Sequence, residues 1–217
     1  MAGFPVTGDQ YWTVDRRMSE IKRQLGVEGG SPLDPHKVAM ALQAIVEGKF
    51  EKIPKSFAPW RTVRLGVHKS LEAYLASAKT KGHRIATYAT QILQGIEWSQ
   101  EESDLELVEV LDSDVGMVSG YTFDQLAAVV TSKYDLDLCP DEAGPAARDQ
   151  YLGQQMDEWR SIAMKPRAAS DARLGVFYVG RHSDGAWLST HYANPGSQFL
   201  LGIRWLFARR KRPVSQG

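Results

Sequence analysis

Hydrophobic periodicity changes once along this chain, across the stretch Leu136-Asp-Leu-Cys-Pro-Asp-Glu-Ala-Gly-Pro-Ala-Ala-Arg-Asp-Gln-Tyr151. Before it, apolar residues recur mostly every three to four positions, the spacing of amphipathic helices, with a few strands between. After it they alternate, the spacing of strands. A run of helices followed by a run of strands predicts an α+β fold. Three regions follow: an N-terminal helical arm over 1–56, a mixed α/β layer over 57–152 and a mainly antiparallel β-sheet over 153–217. The last two are expected to share one core.

In the arm, Val14, Met18, Ile21 and Leu25 fall at offsets of four, three and four, one stripe of a helix running from Trp12 to Leu25. Thr13 is placed to cap it and Gly26 to end it. Its other face carries Arg16, Arg17, Lys22 and Arg23, diluted by Asp15 and Glu20. That is the pattern of a solvated face, with phosphate contact as the alternative. Asp34-Pro35 supplies a capping carboxylate and a proline at the first helical position, and Val38, Leu42, Ile45 and Val46 form the buried stripe. The two helices read as a hairpin. Their connection, Gly26 to Asp34, is longer than the turn of about three to four residues in a helix-turn-helix.

A linker is expected over 50–59, then a strand from Trp60 to Val67. Ser70 starts a helix with Leu71, Tyr74, Leu75 and Ala78 inward, and Ile85 to Leu93 marks another. Leu105 to Leu111 is a second strand, whose register turns on whether Glu109 or Val110 faces inward. Thr122-Phe-Asp-Gln125 is a capping box that opens a helix ending near Tyr134. Beyond Tyr151, four antiparallel strands are expected near Trp159–Met164, Gly175–Gly180, Ala186–Thr190 and Phe199–Ala208. Ser183-Asp184-Gly185 marks a hairpin turn. The tail from Arg209 to Arg212 is expected to fray.

Within the central stretch, Pro140 suits the first turn of a short helix, with Asp141 and Glu142 at its positive end. Beside such an N-terminus the single cysteine, Cys139, would gain thiolate character, although a lone cysteine more often serves as a small buried hydrophobe. The run Leu138-Cys139-Pro140-x-Glu142-x-Gly144-Pro145-x-x-Arg148-x-Gln150-Tyr151-x-x-Gln154, with Glu158-Trp159 and Ile162-Ala163-Met164, resembles a family of uncharacterised bacterial proteins. These end in strands closing on a basic, aromatic segment, here Arg204 to Lys211. The resemblance brings no activity with it. It implies that Arg148, Gln150, Tyr151 and Gln154 belong to a recurring pattern, structural or binding, and these four, with Arg204 and Arg209, are the candidate binding residues.

No phosphate-cradling glycine loop, nucleophile elbow or His-Glu-x-x-His helix is present, so no catalytic residue and no cofactor is assigned. One cysteine excludes an internal disulfide framework and a cysteine-rich zinc site. His182, Asp184 and His191 could converge across a hairpin, but three well-placed ligands are needed and no metal is assigned. Trp159, Tyr178, Trp187, Tyr192, Trp205 and Phe207, with Arg181, Arg204 and Arg209, would make a stacking platform if they shared the solvent side; inward they are core. The 26 basic and 26 acidic residues balance, which disfavours a dedicated nucleic-acid binder. The N-terminus lacks signal-peptide features and no apolar run is long enough to span a membrane. The sequence therefore reads as a soluble cytoplasmic protein, a non-catalytic binding or interaction module for a protein partner. The alternatives are a nucleic-acid contact protein using the basic first helix and the Arg/Lys-rich C-terminus, and a small hydrolase-like enzyme centred on Cys139 and Glu142.

Overall fold

The computed structural model describes residues 7–27, 30–31, 33–48 and 57–210. The expected linker before residue 57 and the basic tail beyond Arg210 lie outside these. The fold is α+β, with six helices and a large mixed sheet among the described residues. None of these helices is long and apolar enough to cross a membrane. The chain divides into two compact units, Met1–Pro54 and Lys55–Gly217.

The first unit contains α1 (Gly8–Leu25) and α2 (Pro35–Val46). α1 starts more than a turn earlier than expected, because Thr7 and Gln10 form the capping box: Gln10 N–H donates to Thr7 Oγ1 (3.3 Å) and Thr7 N–H donates to Gln10 Oε1 (3.0 Å). Thr13 is inside the helix, its hydroxyl donating to Asp9 O (2.8 Å). Gly26 ends α1. α2 begins at the expected place, Asp34 Oδ1 accepting from the His36 and Lys37 amides. Neither helix holds a buried residue.

The second unit runs β1 (Pro59–Leu65), α3 (Leu71–Thr80), β2 (Arg84–Ile85), α4 (Thr87–Leu93), β3 (Ser103–Leu111), a 3₁₀ turn (Asp112–Val115), β4 (Tyr121–Thr122), α5 (Phe123–Lys133), β5 (Leu136–Asp137), α6 (Ala143–Gln150), β6 (Trp159–Ile162), β7 (Arg167–Ala168), β8 (Leu174–His182), β9 (Gly185–Tyr192), β10 (Gln198–Phe199) and β11 (Arg204–Arg209). Nine strands form one sheet in the order β1-β3-β11-β6-β8-β9-β2, with β5 beside β11 and β7 beside β8; β4 and β10 pair separately.

The C-terminal strands do not stand alone as a four-stranded antiparallel sheet. β11 inserts between β3, to which it is antiparallel, and β6, to which it is parallel. Sequence alternation through Ile203, Trp205 and Phe207 concealed the reason. Leu206 and Ala208 are buried too, and four consecutive buried residues mark a strand covered on both faces. β3 behaves likewise: Leu107, Val108 and Val110 are all fully buried, so both faces of its second half are covered and Glu109 is half-buried.

On one face α6 packs against β1, β8 and β9. Contact is close enough that a Cβ on Gly144 would lie 2.5 Å from Phe177 Cδ2. α6 begins at Ala143 rather than Pro140, which closes a preceding turn by accepting the Ala143 N–H (3.0 Å). Pro145 is the third residue of the helix, still in the first turn, where its missing N–H costs nothing. On the other face Phe123 and Phe199 pack on the Trp205 indole at 5.5 and 5.3 Å. The Asp112 carboxylate, fully buried, fixes the start of β11 by accepting the Gly202 and Ile203 amides (both 3.0 Å). It also takes the Tyr121 hydroxyl (3.0 Å), whose oxygen accepts from Trp205 Nε1 (3.0 Å).

Candidate functional site

The last turn of α6 carries Arg148 and Gln150, and the turn that follows it carries Tyr151 and Gln154; three of these four motif residues are absorbed by the fold. Gln150 extends its amide along the outer edge of β1, accepting from Arg64 N–H (2.9 Å) and donating to Arg64 O (2.7 Å). It covers part of an edge that would otherwise be open to strand pairing. Tyr151 donates its hydroxyl to Glu158 Oε2 (2.6 Å) and packs its ring beneath the Arg61 guanidinium (4.7 Å). Gln154 Nε2 donates to Glu158 O (2.8 Å) and Val179 O (3.2 Å). Burial alone would raise the Glu158 pKa, but the Tyr151 and Arg160 hydrogen bonds outweigh it and hold the carboxyl below its usual range.

Arg204 and Arg209 do not join them. Arg204 Nη1 donates to Glu109 Oε1 (2.6 Å), whose other oxygen takes Arg160 Nε (2.5 Å). Arg209 is bound to Glu106 Oε1 (2.8 Å) and Phe57 O (2.7 Å), and Arg210 to Asp137 (2.7 Å). The C-terminal arginines are thus paired with carboxylates rather than presented as a free cationic strip.

Arg148 is different. It is 1 % exposed, yet no carboxylate pairs with it among the described residues. Its Nη1 donates to Gln154 Oε1 (2.5 Å) and Gly180 O (3.3 Å), and its Nη2 to Tyr151 O (2.6 Å), while Nε has no partner. Burial, and the neighbouring Arg181 charge, lower its pKa. It lines a cleft of about 310 Å³ with Lys81, His83, Gly153, Arg181 and Gly185. Lys81 Nζ lies 2.8 Å from Asp149 Oδ1, which also accepts from Ser77 Oγ (3.0 Å). His68 Nε2 lies 3.2 Å from Asp149 Oδ2, without the alignment of a hydrogen bond. Burial would raise the Asp149 pKa, but Lys81, Ser77 and His68 reverse it and the carboxyl sits below its usual range. His83 is pushed down to about 4, by burial first and the Arg148 charge second, so its imidazole is neutral near pH 7; its buried Nδ1 has no partner.

The other chemical candidates are dispersed or built in. Cys139 is buried, bridges Met164 and donates its thiol to Leu206 O (3.3 Å); burial pushes its pKa up. Cys139 is the small buried hydrophobe of the favoured reading rather than an activated thiolate, because it precedes α6 by a turn and packs inside the core. Glu142, also buried, clamps the Gly66 (2.6 Å) and Ser99 (3.1 Å) amides, and Asp141 binds Arg167 Nε (2.6 Å). His182 pairs with Gly185 and His191 with Val176, at opposite ends of the β8–β9 hairpin. At about 3.3 Å per residue they are about 20 Å apart and cannot share a ligand. No group of three or more metal-ligating side chains occurs among the described residues.

The aromatic platform does not form either. Trp205 and Phe207 are core, His191 stacks on Tyr178 at 4.5 Å, and Trp159 and Tyr192 are exposed at opposite ends of β8. Lys81 and His83 were not found by sequence reading, and Arg181 only as an edge of the aromatic platform. They belong to no spaced motif, and only α3, β8 and α6 meeting at one end bring them to Arg148. No protein-family model, curated protein or solved structure matches the chain.

Proposed function

We propose that this chain is a non-catalytic interaction module of the bacterial cytoplasm, whose partner is a protein that docks an apolar helix on α1 and α2. The reading rests on one observation: both helices carry apolar stripes, yet neither contains a buried residue. Trp12, Val14, Met40 and Val46 are 67 %, 63 %, 62 % and 82 % exposed. The four-three-four spacing of Val14, Met18, Ile21 and Leu25 is the heptad spacing that takes knobs from a facing helix. Amphipathic helices draw most of their stability from packing that face. The residues of the enzymatic alternative, Cys139 and Glu142, are engaged in holding the core. The pairing of Arg204, Arg209 and Arg210 with carboxylates weighs against the nucleic-acid alternative at the described C-terminus.

The test is gentle purification of the full chain from its own cell, with mass spectrometry and light scattering on the eluted species. Wild type is compared with Val14→Asp/Val46→Asp, a double variant at exposed positions. A stoichiometric protein partner, or a second copy of the chain, held by wild type and lost in the variant supports the proposal. A wild-type monomer that elutes alone overturns it.

A further inference from the structure

The cleft at the C-terminal end of α6 has a charge balance that the fold does not explain. Buried cations are ordinarily paired with carboxylates, because an uncompensated charge in a poorly solvated site is costly. Here Arg148 is buried on carbonyl and amide oxygens alone, and Arg181 lines the same cleft with no ion-pair partner among the described residues. No carboxylate lines the cleft; Asp149, next to Arg148 in the chain, is engaged by Lys81. Setting Asp149 against Lys81, Arg148 and Arg181 leaves two positive charges, since His83 is neutral near pH 7. Of the residues lining the cleft, Arg148 and His83 each hold a buried nitrogen without a partner, Nε and Nδ1.

A purely structural role accounts for part of this. Arg148 ties the end of α6 to the turn after it, through Tyr151 O and Gln154 Oε1, and to β8, through Gly180 O. That role does not call for Arg181 beside it, nor for an acid-free lining.

We propose that this cleft binds a small phosphate monoester, its phosphate seated between Arg181 and Lys81 over the fixed Arg148 charge. A phosphate near neutral pH carries about −1.5 to −2 charge, which matches two uncompensated cations where a monocarboxylate would not. The volume of about 310 Å³ lies at the small end of ligand clefts. Leu152 and Ala186 beside the cations offer apolar surface to the rest of the ligand. The site is independent of α1 and α2, so it stands or falls apart from the docking reading.

The experiment is calorimetric titration of the full chain with phenyl phosphate and inorganic phosphate, with acetate as the monoanion comparison. Phosphorus NMR line broadening provides a second readout. Wild type should bind the phosphates and show at least about tenfold weaker binding of acetate. Arg181→Gln, at a half-buried position that can keep its fold, should weaken phosphate binding about tenfold or more, the loss of one charge-assisted contact. Arg148→Lys keeps the charge and separates charge from packing. Wild type that binds no phosphate at millimolar concentration overturns the proposal, even if Arg148→Lys is destabilised; the arginine is then only a cap of α6. Equal affinities in wild type and Arg181→Gln overturn it as well.

Discussion

Removing the Asp112 carboxylate should be among the most damaging single changes in the second unit. In Asp112→Ala four donors lose their acceptor: the amides of Ser113, Gly202 and Ile203 and the Tyr121 hydroxyl. Gly202 is exposed and can turn to water, and Ser113, exposed within the first turn of the 3₁₀ segment, can do the same. Tyr121 is 3 % exposed and Ile203 is half-buried, so these two carry most of the penalty. At about 1–3 kcal/mol for each unsatisfied buried donor, and with a small cavity added, the loss is about 3–5 kcal/mol. That is a large part of a stability of about 5–15 kcal/mol. Asp112→Asn keeps the shape and one carbonyl oxygen and should lose about half as much. The assay is urea unfolding followed by circular dichroism and by tryptophan fluorescence, because Trp205 reports on Asp112 through Tyr121. A loss below about 1 kcal/mol for Asp112→Ala, with an unchanged denaturant slope, would refute the view that this carboxylate holds β11 in the sheet.

Gly144→Ala sets two effects against each other: alanine gains about 1 kcal/mol as a helix former, but its Cβ would meet Phe177 at 2.5 Å. Overpacking of about 1–3 kcal/mol or more should win, giving a lower urea midpoint. Cys139 should react with a thiol reagent only as fast as the protein opens, so labelling in native buffer should speed up with urea; rapid labelling of the native protein would contradict its burial. Stability should fall on acidification. His83 is held at about 4 against an ordinary 6.5, so the unfolded chain takes up its proton first. This contribution is complete above about pH 6.5 and is lost as pH falls towards 4. The Asp149 carboxyl, lowered below its ordinary value, acts in the same direction at lower pH still. His83→Gln should flatten the pH dependence of the urea midpoint between pH 6.5 and 4, and an unchanged slope would count against the assignment.

Local chemistry made the helix starts legible. Asp34-Pro35, Ser70 and Thr122 each cap where the sequence places them, because a capping side chain bonds amides only two or three residues away. Thr7 and Thr13 show the limit of that logic. Both precede the apolar stripe, and it is Gln10, three residues after Thr7, that makes the earlier one the cap. The hairpin over Ser183 and Asp184 is equally local, with Gly185 opening β9.

The α+β class and most element positions follow from local pattern alone. The path of the sheet and the company each polar residue keeps are set by long-range packing. Alternation cannot place a strand whose two faces are both covered, so the position of β11 between β3 and β6 is not legible in its pattern. The environment of Cys139, the neutral state of His83 and the gathering of Arg148 with Arg181 have the same origin. Each depends on contacts between residues far apart in sequence, and burial and charge compensation, unlike helix capping, exist only once those segments have packed.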